Sequence, residues 1–440
     1  MLNKKLFVLV IMTSFMSHVF AQTDELLESS EEPESELVSN LEPSAETPLP
    51  LDQIKTFAEI FTRIKRSYVE PVSDEELLDF AIEGMLNGLD PHSVYLKEDR
   101  FEQLNEGTTG RFGGLGIEVM LEGGFIKVIS PIDDTPASEA GIQTGDLIIR
   151  IDSQAVSGMS LSEGTDLMRG EPGTEITLTI VRDSESEPFD VVLERAIIRT
   201  KTVKRERLSD QVGYLKVTQF QTETAELFRK ELRALKENDQ FSGLVLDLRN
   251  NPGGLLNSAV SISDALIDEG LIVTTKSRIT ENDQSFSATP SDLLEGKPIV
   301  VIINAGSASA SEIVAGALQD HKRALILGTE SFGKGSVQTV LDLGQQQAIK
   351  LTTARYYTPS GRSIQAAGIE PDVFVQQRQF QEQEAQFNRI KENDLPGHLE
   401  NENSTSIDDN EDSDRLAKDY QLNEAFNLLK GLILYSNLES

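Results

Sequence analysis

Ile299-Val300-Val301-Ile302-Ile303-Asn304-Ala305-Gly306-Ser307-Ala308-Ser309-Ala310-Ser311-Glu312-Ile313 is the stretch that decides the fold. Five consecutive apolar residues, all β-branched, predict a strand buried on both faces, as in a parallel sheet covered by helices. The segment after it turns through Asn304 to Gly306 and opens a helix from Ser309 to Leu318. A serine at such a strand-to-helix turn lies at the C-terminal edge of the sheet, where ligands and nucleophiles collect. The free N–H groups of the first helical turn point at whatever occupies that edge, and they suit a developing oxyanion.

The same alternation extends to both sides. Val212 to Val217 and Gly243 to Leu248 read as strands, and Leu325 to Leu327 as a third. Thr224 to Glu237 and Leu255 to Ile267 read as helices between them, and residues 336–357 as further strands ending at a Thr358–Gly361 turn. Alternating apolar strands and amphipathic helices predict an α/β core over residues 196–375. Residues 105–195 differ: short strands punctuated by glycine (Ile117 to Leu121, Phe125 to Ile129, Leu147 to Ile151, Ile176 to Val181) surround one helix, Leu161 to Met168. Residues 51–104 read as a helical region, with Ile54, Phe57, Ile60, Phe61 and Ile64 at helical spacing. A second helix runs from Asp74 to Leu86 with Ser73 or Asp74 as its cap.

At the N-terminus, Lys4 and Lys5 precede an uncharged apolar run, Leu6 to Phe20, and Val19 and Ala21 fit a small-residue cleavage rule. Residues 1–21 are therefore expected to be a signal peptide cut before Gln22; a membrane anchor is the alternative, disfavoured by the short run and by Ser14, Ser17 and His18. Residues 22–50 form an acidic tether and residues 376–414 an acidic linker, both too polar to pack a core. Residues 415–440 recover helical periodicity through Leu416, Leu422, Phe426, Leu429 and Leu432. This terminal helix needs either its own body or a partner to pack against.

The 440 residues carry a formal net charge of −33 and no cysteine. Such acidity argues against nucleic acid and anionic lipid as partners. The lack of cysteine removes disulfides, thiol nucleophiles, thiolate metal sites and a lipoprotein anchor. Of the four histidines, His18 leaves with the signal peptide and His398 lies in the acidic linker. His321 falls at the far end of the helix that Ser309 opens, too distant to touch its hydroxyl. His92 stays open as a base for a Ser–His–Asp arrangement. No HExxH segment or phosphate-binding loop is present. If the chain is a catalyst, serine with a lysine base is the remaining common option.

Lys334, in Gly333-Lys334-Gly335-Ser336-Val337-Gln338, suits that role. A lysine acts as a base only when neutral, which burial without an anionic partner promotes. There is no acid between Ser331 and Thr339. In a strand Lys334, Ser336 and Gln338 would share a face, letting Gln338 orient Lys334 without adding charge. Asp247-Leu248-Arg249-Asn250-Asn251-Pro252-Gly253-Gly254-Leu255 reads as a strand end, a turn and a helix start. The N–H of Gly253 or Gly254 can join that of Ala310 in an oxyanion hole. Taken singly, each segment fits a blander role: a helix cap, a surface lysine, a turn. Their conjunction carries the reading.

These three segments resemble the C-terminal processing peptidases, or tail-specific proteases, of serine peptidase family S41, over about residues 51–375. The resemblance implies a ClpP/crotonase-like ββα core with an inserted PDZ domain. It implies Ser309 as nucleophile, in preference to Ser307 and Ser311 between which the residues alone do not choose, with Lys334 as general base and Gln338 positioning it. Gly114-Leu115-Gly116-Ile117 resembles the PDZ carboxylate-binding loop, and Arg169, at the end of the PDZ helix, a link between that domain and the active site. Expected partners are protein substrates with apolar C-termini, a second copy of the chain in a homo-oligomer, and an adaptor lipoprotein. No cofactor is expected. The expected location is the periplasm, with membrane association left open. Two rivals remain: a non-catalytic PDZ adaptor or holdase on a dead protease fold, which need not keep Ser309, Lys334 and Gln338 together, and a crotonase-like acyl-transfer enzyme, which the export signal disfavours.

Overall fold

The computed structural model describes residues 49–378, 416 and 418–439. The expected signal peptide, nearly all of the acidic tether and most of the acidic linker lie outside the described residues. Among the described residues no helix is long and apolar enough to cross a membrane.

Helix α1 (Leu51–Ser67) buries none of its residues. Helix α2 (Asp74–Asn87) opens with a reciprocal cap. Ser73 Oγ accepts the Glu76 N–H at 3.1 Å and the Glu76 carboxylate accepts the Ser73 N–H at 2.9 Å, which makes Ser73 rather than Asp74 the cap. Beyond it, the expected helical region contains a strand, β1 (Val94–Leu96), before α3 (Glu98–Thr109). That strand pairs far along the chain, in a hairpin sheet of the core, where its alternating side chains find a partner that local periodicity does not show.

The inserted domain contains β2 (Arg111–Gly114), β3 (Ile117–Glu122), β4 (Phe125–Pro131), α4 (Pro136–Glu139), β5 (Leu147–Ile151), β6 (Gln154–Ala155), α5 (Leu161–Met168), β7 (Glu175–Val181), β8 (Phe189–Glu194) and β9 (Ala196–Arg199). Its main sheet runs β3-β4-β5-β7-β8, and β2 pairs with β9 where the chain enters and leaves. Ile126, Val128, Ile148, Ile176, Leu178 and Ile180 fill a core separate from that of the rest. They alternate along their strands, as a one-sided antiparallel sheet requires.

The remaining chain adds β10 (Val203–Arg207), β11 (Val212–Val217), α6 (Thr224–Lys236), β12 (Gly243–Asp247), α7 (Leu256–Asp264), β13 (Leu271–Ser277), β14 (Gln284–Ser287), β15 (Ile299–Ile303), α8 (Ala310–Asp320), β16 (Leu325–Gly328), β17 (Ser336–Gly344), β18 (Gln347–Tyr357), β19 (Val373–Phe374) and α9 (Tyr420–Glu439). One sheet has the order β10-β11-β12-β15-β16-β19 and is parallel from β11 onward. Alternation along it explains its continuous apolar strands. Leu244, Leu246, Ile299, Val301 and Ile303 face the core built with α6, α7 and α8. Val245, Val300 and Ile302 face the other side, where Leu422, Ala425, Leu429 and Ile433 of α9 cover them. The C-terminal helix thus packs on its own body. A second sheet has the order β1-β18-β13-β14 with β17 on β18, and β17 begins two residues after Lys334.

Arg249, just past β12, ties α9 to the core. Its guanidinium bonds Asp247 Oδ2 and Asp419 Oδ2, both at 2.7 Å, and Tyr214 Oη donates to Asp247 Oδ2 at 2.8 Å. Burial works against the guanidinium charge, but the two carboxylates outweigh it and raise the arginine's pKa. Leu429→Ala, which empties a fully buried position on α9, is expected to cost about 2–5 kcal/mol in denaturant unfolding. A loss within error would show that α9 does not stabilise the sheet.

Candidate active site

The strand-to-helix turn places Ser309 just before the first residue of α8, with φ 57° and ψ −113°. A residue with a Cβ pays about 1–3 kcal/mol for such a backbone, so the surroundings must hold it. They do so through the flanking serines. Ser307 Oγ donates to Leu248 O at 2.8 Å and accepts the Asn304 N–H at 3.0 Å, and Ser311 Oγ donates to Asn251 O at 2.9 Å. Both are fully buried, with hydroxyls committed to main-chain groups, whereas Ser309 is half-buried. Geometry therefore separates the three serines that the residues alone leave equivalent.

The Leu248–Gly254 loop lies directly against this turn. The Ala308 N–H donates to Asn251 O at 2.9 Å. Gly253 has φ 98°, and a Cβ there would come within 2.7 Å of both Ala308 O and Ser309 Cβ. Only glycine lets the two segments touch. The Gly253 N–H, however, donates to Asn251 Oδ1 at 2.9 Å. Of the two glycines, it is Gly254 whose N–H, like that of Ala310, donates to no other described residue.

Glu312 organises the site, and sequence reading assigned it no role. Its carboxylate is fully buried. Oε2 accepts the Ser309 N–H at 2.7 Å and the Lys334 N–H at 2.9 Å, while Oε1 accepts the Ser331 hydroxyl at 2.6 Å and the Gly333 N–H at 2.7 Å. One charged side chain thus fixes the turn that carries Ser309 and the loop that carries Lys334. Its spacing, Ser309-x-x-Glu312, is the helix-start signature that would have flagged it.

Lys334 sits in that loop, not in a strand. β17 begins at Ser336, and a register shift between Val337 and Gln338 interrupts the expected alternation. Gln338 Nε2 donates to Ser336 Oγ at 2.9 Å and to Thr352 Oγ1 at 3.3 Å, and among the described residues Gln338 makes no hydrogen bond to Lys334. Burial lowers the pKa of Lys334, and the nearby Lys350 charge lowers it further. Asp90 and Glu312 pull the other way, so the expectation of a lysine with no acid in reach is corrected: two acids reach it from distant segments and are outweighed.

Ser309 Oγ is 2.7 Å from Tyr356 Oη, and among the described residues it has no hydrogen bond to Lys334. His321 Nε2 bonds Leu271 O at 2.6 Å, away from Ser309. His92 lies close enough to Lys334 for the lysine's charge to add to burial in depressing its pKa. Its turn is held by Asp90, whose Oδ1 accepts the His92 and Ser93 N–H groups at 2.7 and 3.0 Å. Ser93 Oγ in turn accepts the Thr352 N–H at 3.1 Å.

In the inserted domain Gly114, Leu115, Gly116, Ile117 and Val119, together with Thr165, Met168 and Arg169, line a groove of about 170 Å³. Strand β3 is the edge of its sheet, open to an added strand. Gly116 has φ 78°, and a Cβ there would meet Thr135 at 2.4 Å. Arg169 Nη1 bonds Glu106 Oε2 of α3 at 2.5 Å and its guanidinium lies 5.2 Å from the centre of the Phe112 ring.

Comparison with known proteins adds three matches. The Peptidase family S41 model matches residues 211–375, a PDZ domain model residues 113–193, and the Activating protease CtpB N-terminal domain model residues 9–100. A carboxy-terminal-processing protease of Bartonella bacilliformis is 46% identical over 87% of this chain and 90% of its own length. This chain belongs to the carboxy-terminal-processing serine proteases of family S41. A CtpA-like serine protease of Staphylococcus epidermidis is 35% identical over 74% of the chain, which spans 66% of that protein. Among solved structures, the photosystem II D1 C-terminal processing protease is 32% identical, covers 73% of this chain and 92% of its own, and has a TM-score of 0.45. The non-catalytic and acyl-transfer rivals give way to this S41 protease assignment.

Glu312→Gln tests the organising carboxylate. The new amide N–H₂ would face donors, so stability is expected to fall by about 2 kcal/mol or more and proteolysis to fall with it. An unchanged melting temperature and turnover would mean that the two segments hold their places without that charge.

Proposed function

We propose that this family S41 protease is an endopeptidase that uses Ser309 as nucleophile and Lys334 as general base. The observation that carries this reading is the shared clamp: the strained turn of Ser309 and the loop of the pKa-lowered Lys334 hang on one carboxylate. In the reaction neutral Lys334 takes the Ser309 proton as Oγ bonds the peptide carbonyl carbon. The N–H groups of Gly254 and Ala310 receive the oxyanion. The tetrahedral species collapses with cleavage of the C–N bond, and Lys334 returns the proton to the leaving amine. Lys334 then deprotonates a water whose oxygen bonds the acyl carbon, the C–Oγ bond breaks, and Lys334 returns the proton to Ser309 Oγ. Gln338 acts through the strand pairing that holds the loop.

The groove of the inserted domain takes the substrate's C-terminus. Backbone N–H groups of the Gly114–Ile117 loop receive the carboxylate, the peptide adds beside β3, and Leu115, Ile117, Val119 and Met168 favour an apolar terminal side chain. Arg169, bonded to Glu106 of α3, links the groove to the protease body. We further propose export by the N-terminal apolar segment to the periplasm, a homo-oligomeric state and an adaptor lipoprotein as partner; family resemblance supports all three.

The test is degradation of an unfolded protein by purified residues 22–440. Ser309→Ala and Lys334→Ala are each expected to lose turnover by about three orders of magnitude or more while staying folded, and amidating the substrate C-terminus is expected to raise KM. A Lys334→Ala protein that cleaves like wild type would overturn the dyad.

The pH dependence has a defined sign. The base form of Lys334 is required, so activity rises with pH through a pKa below the usual lysine value. Lys350→Met removes a charge that disfavours the ammonium, so the rising limb is expected to move to higher pH. A shift to lower pH, or none, would contradict this role for Lys350.

A further inference from the structure

We propose that Tyr356 is a further catalytic residue: its hydroxyl donates a hydrogen bond to Ser309 Oγ and holds that oxygen in place for attack. The inference rests on Ser309 being the nucleophile.

The geometry is specific. Tyr356 Oη lies 2.7 Å from Ser309 Oγ, and the phenol has no other hydrogen-bond partner among the described residues. The ring is buried in the core that contains Ala310, Ile313 and Val314 of α8. The main chain is fixed as well: the Tyr356 N–H donates to Gly335 O at 3.0 Å, one residue past Lys334, and Tyr356 pairs with Thr275 of β13. One residue therefore ties the nucleophile's oxygen to the loop that carries the base.

The 2.7 Å contact allows either hydroxyl to donate, and the phenol, the more acidic O–H of the two, takes that role. Burial raises the phenol's pKa well above its usual value, so Tyr356 keeps its proton and does not compete with Lys334 as a base. With the phenol donating, one lone pair of Oγ is occupied and the serine's own proton stays available for Lys334. The balance is then simple. The Ser309 O–H bond breaks, its proton passes to Lys334 Nζ, the new bond forms between Oγ and the carbonyl carbon, and Tyr356 ends each step with the proton it began with. The same donation recurs in deacylation, when Oγ is the leaving atom. Without the phenol Oγ becomes a free rotor, and the strained Ser309 backbone no longer guarantees its aim.

The experiment compares the rate of labelling by a fluorophosphonate, and kcat and KM on a peptide substrate, across wild type, Tyr356→Phe, Lys334→Ala and Ser309→Ala in residues 22–440. Tyr356→Phe keeps the buried ring. Labelling and kcat are expected to fall at least about tenfold with KM within about twofold. Labelling at or above the wild-type rate would overturn the proposal while leaving the Ser309–Lys334 reading intact. Labelling of Ser309→Ala at the wild-type rate would instead sink that underlying reading. To separate the hydroxyl from packing, 3-fluorotyrosine at position 356 restores ring and hydroxyl together. It is expected to label within about threefold of wild type, and slowing equal to that of Tyr356→Phe would show that the hydroxyl is not what matters.

Discussion

The buried carboxylate of Glu312 is the constraint on which the rest of the site depends. A charge removed from water is costly unless its lone pairs are filled, and here both oxygens each accept two hydrogen bonds. Those four donors come from two segments that the fold brings together at the edge of one sheet. Satisfying the charge and assembling the site are therefore the same event. The arrangement also resolves an apparent conflict with lysine chemistry. Glu312 accepts the main-chain N–H of Lys334, so it fixes the lysine's position through the backbone, and its field on the side chain is outweighed by burial and by Lys350.

Around this clamp the fold supplies rigidity in layers. The Ser309 turn is pinned below by Ser307 and Ser311 to the Leu248–Asn251 segment, and Gly253 permits the close approach that makes this pinning possible. Arg249, inside the same segment, is locked between Asp247 and Asp419, so α9 supports the loop from the opposite face of the sheet. Above, the turn at Asp90 reaches Thr352 of β18 through Ser93, and Thr352 meets the amide of Gln338. Asp90 and Ser93 thus reach the strand beside Gln338, while Asp419 holds Arg249 in the segment that pins the Ser309 turn.

Much of this was legible in the sequence, for a physical reason. The strands β11, β12 and β15 and the helices between them announce themselves because both faces of the sheet are buried, and β3 to β7 because one face is. Ser309, Lys334 and the Pro-Gly-Gly turn stand out because each sits at a junction of elements, where glycine and small residues are required. What was hidden depends on contacts distant in sequence. Tyr356 is an ordinary strand aromatic until α8 is packed beneath it. Val94 to Leu96 is a fragment too short to recognise before β18 exists. The choice between Gly253 and Gly254 turns on which N–H Asn251 takes, and the loop placement of Lys334 on the pull of Glu312, a residue 22 positions away.

The central claim is that Ser309 carries the acyl group, and it can be read directly. A slow ester substrate, quenched at acid pH and analysed by peptide mass spectrometry with fragmentation, would locate the adduct within the segment that contains Ser307, Ser309 and Ser311. The account predicts an acyl adduct on Ser309 alone. An adduct on either flanking serine, or full turnover with no adduct anywhere on this segment, would contradict it.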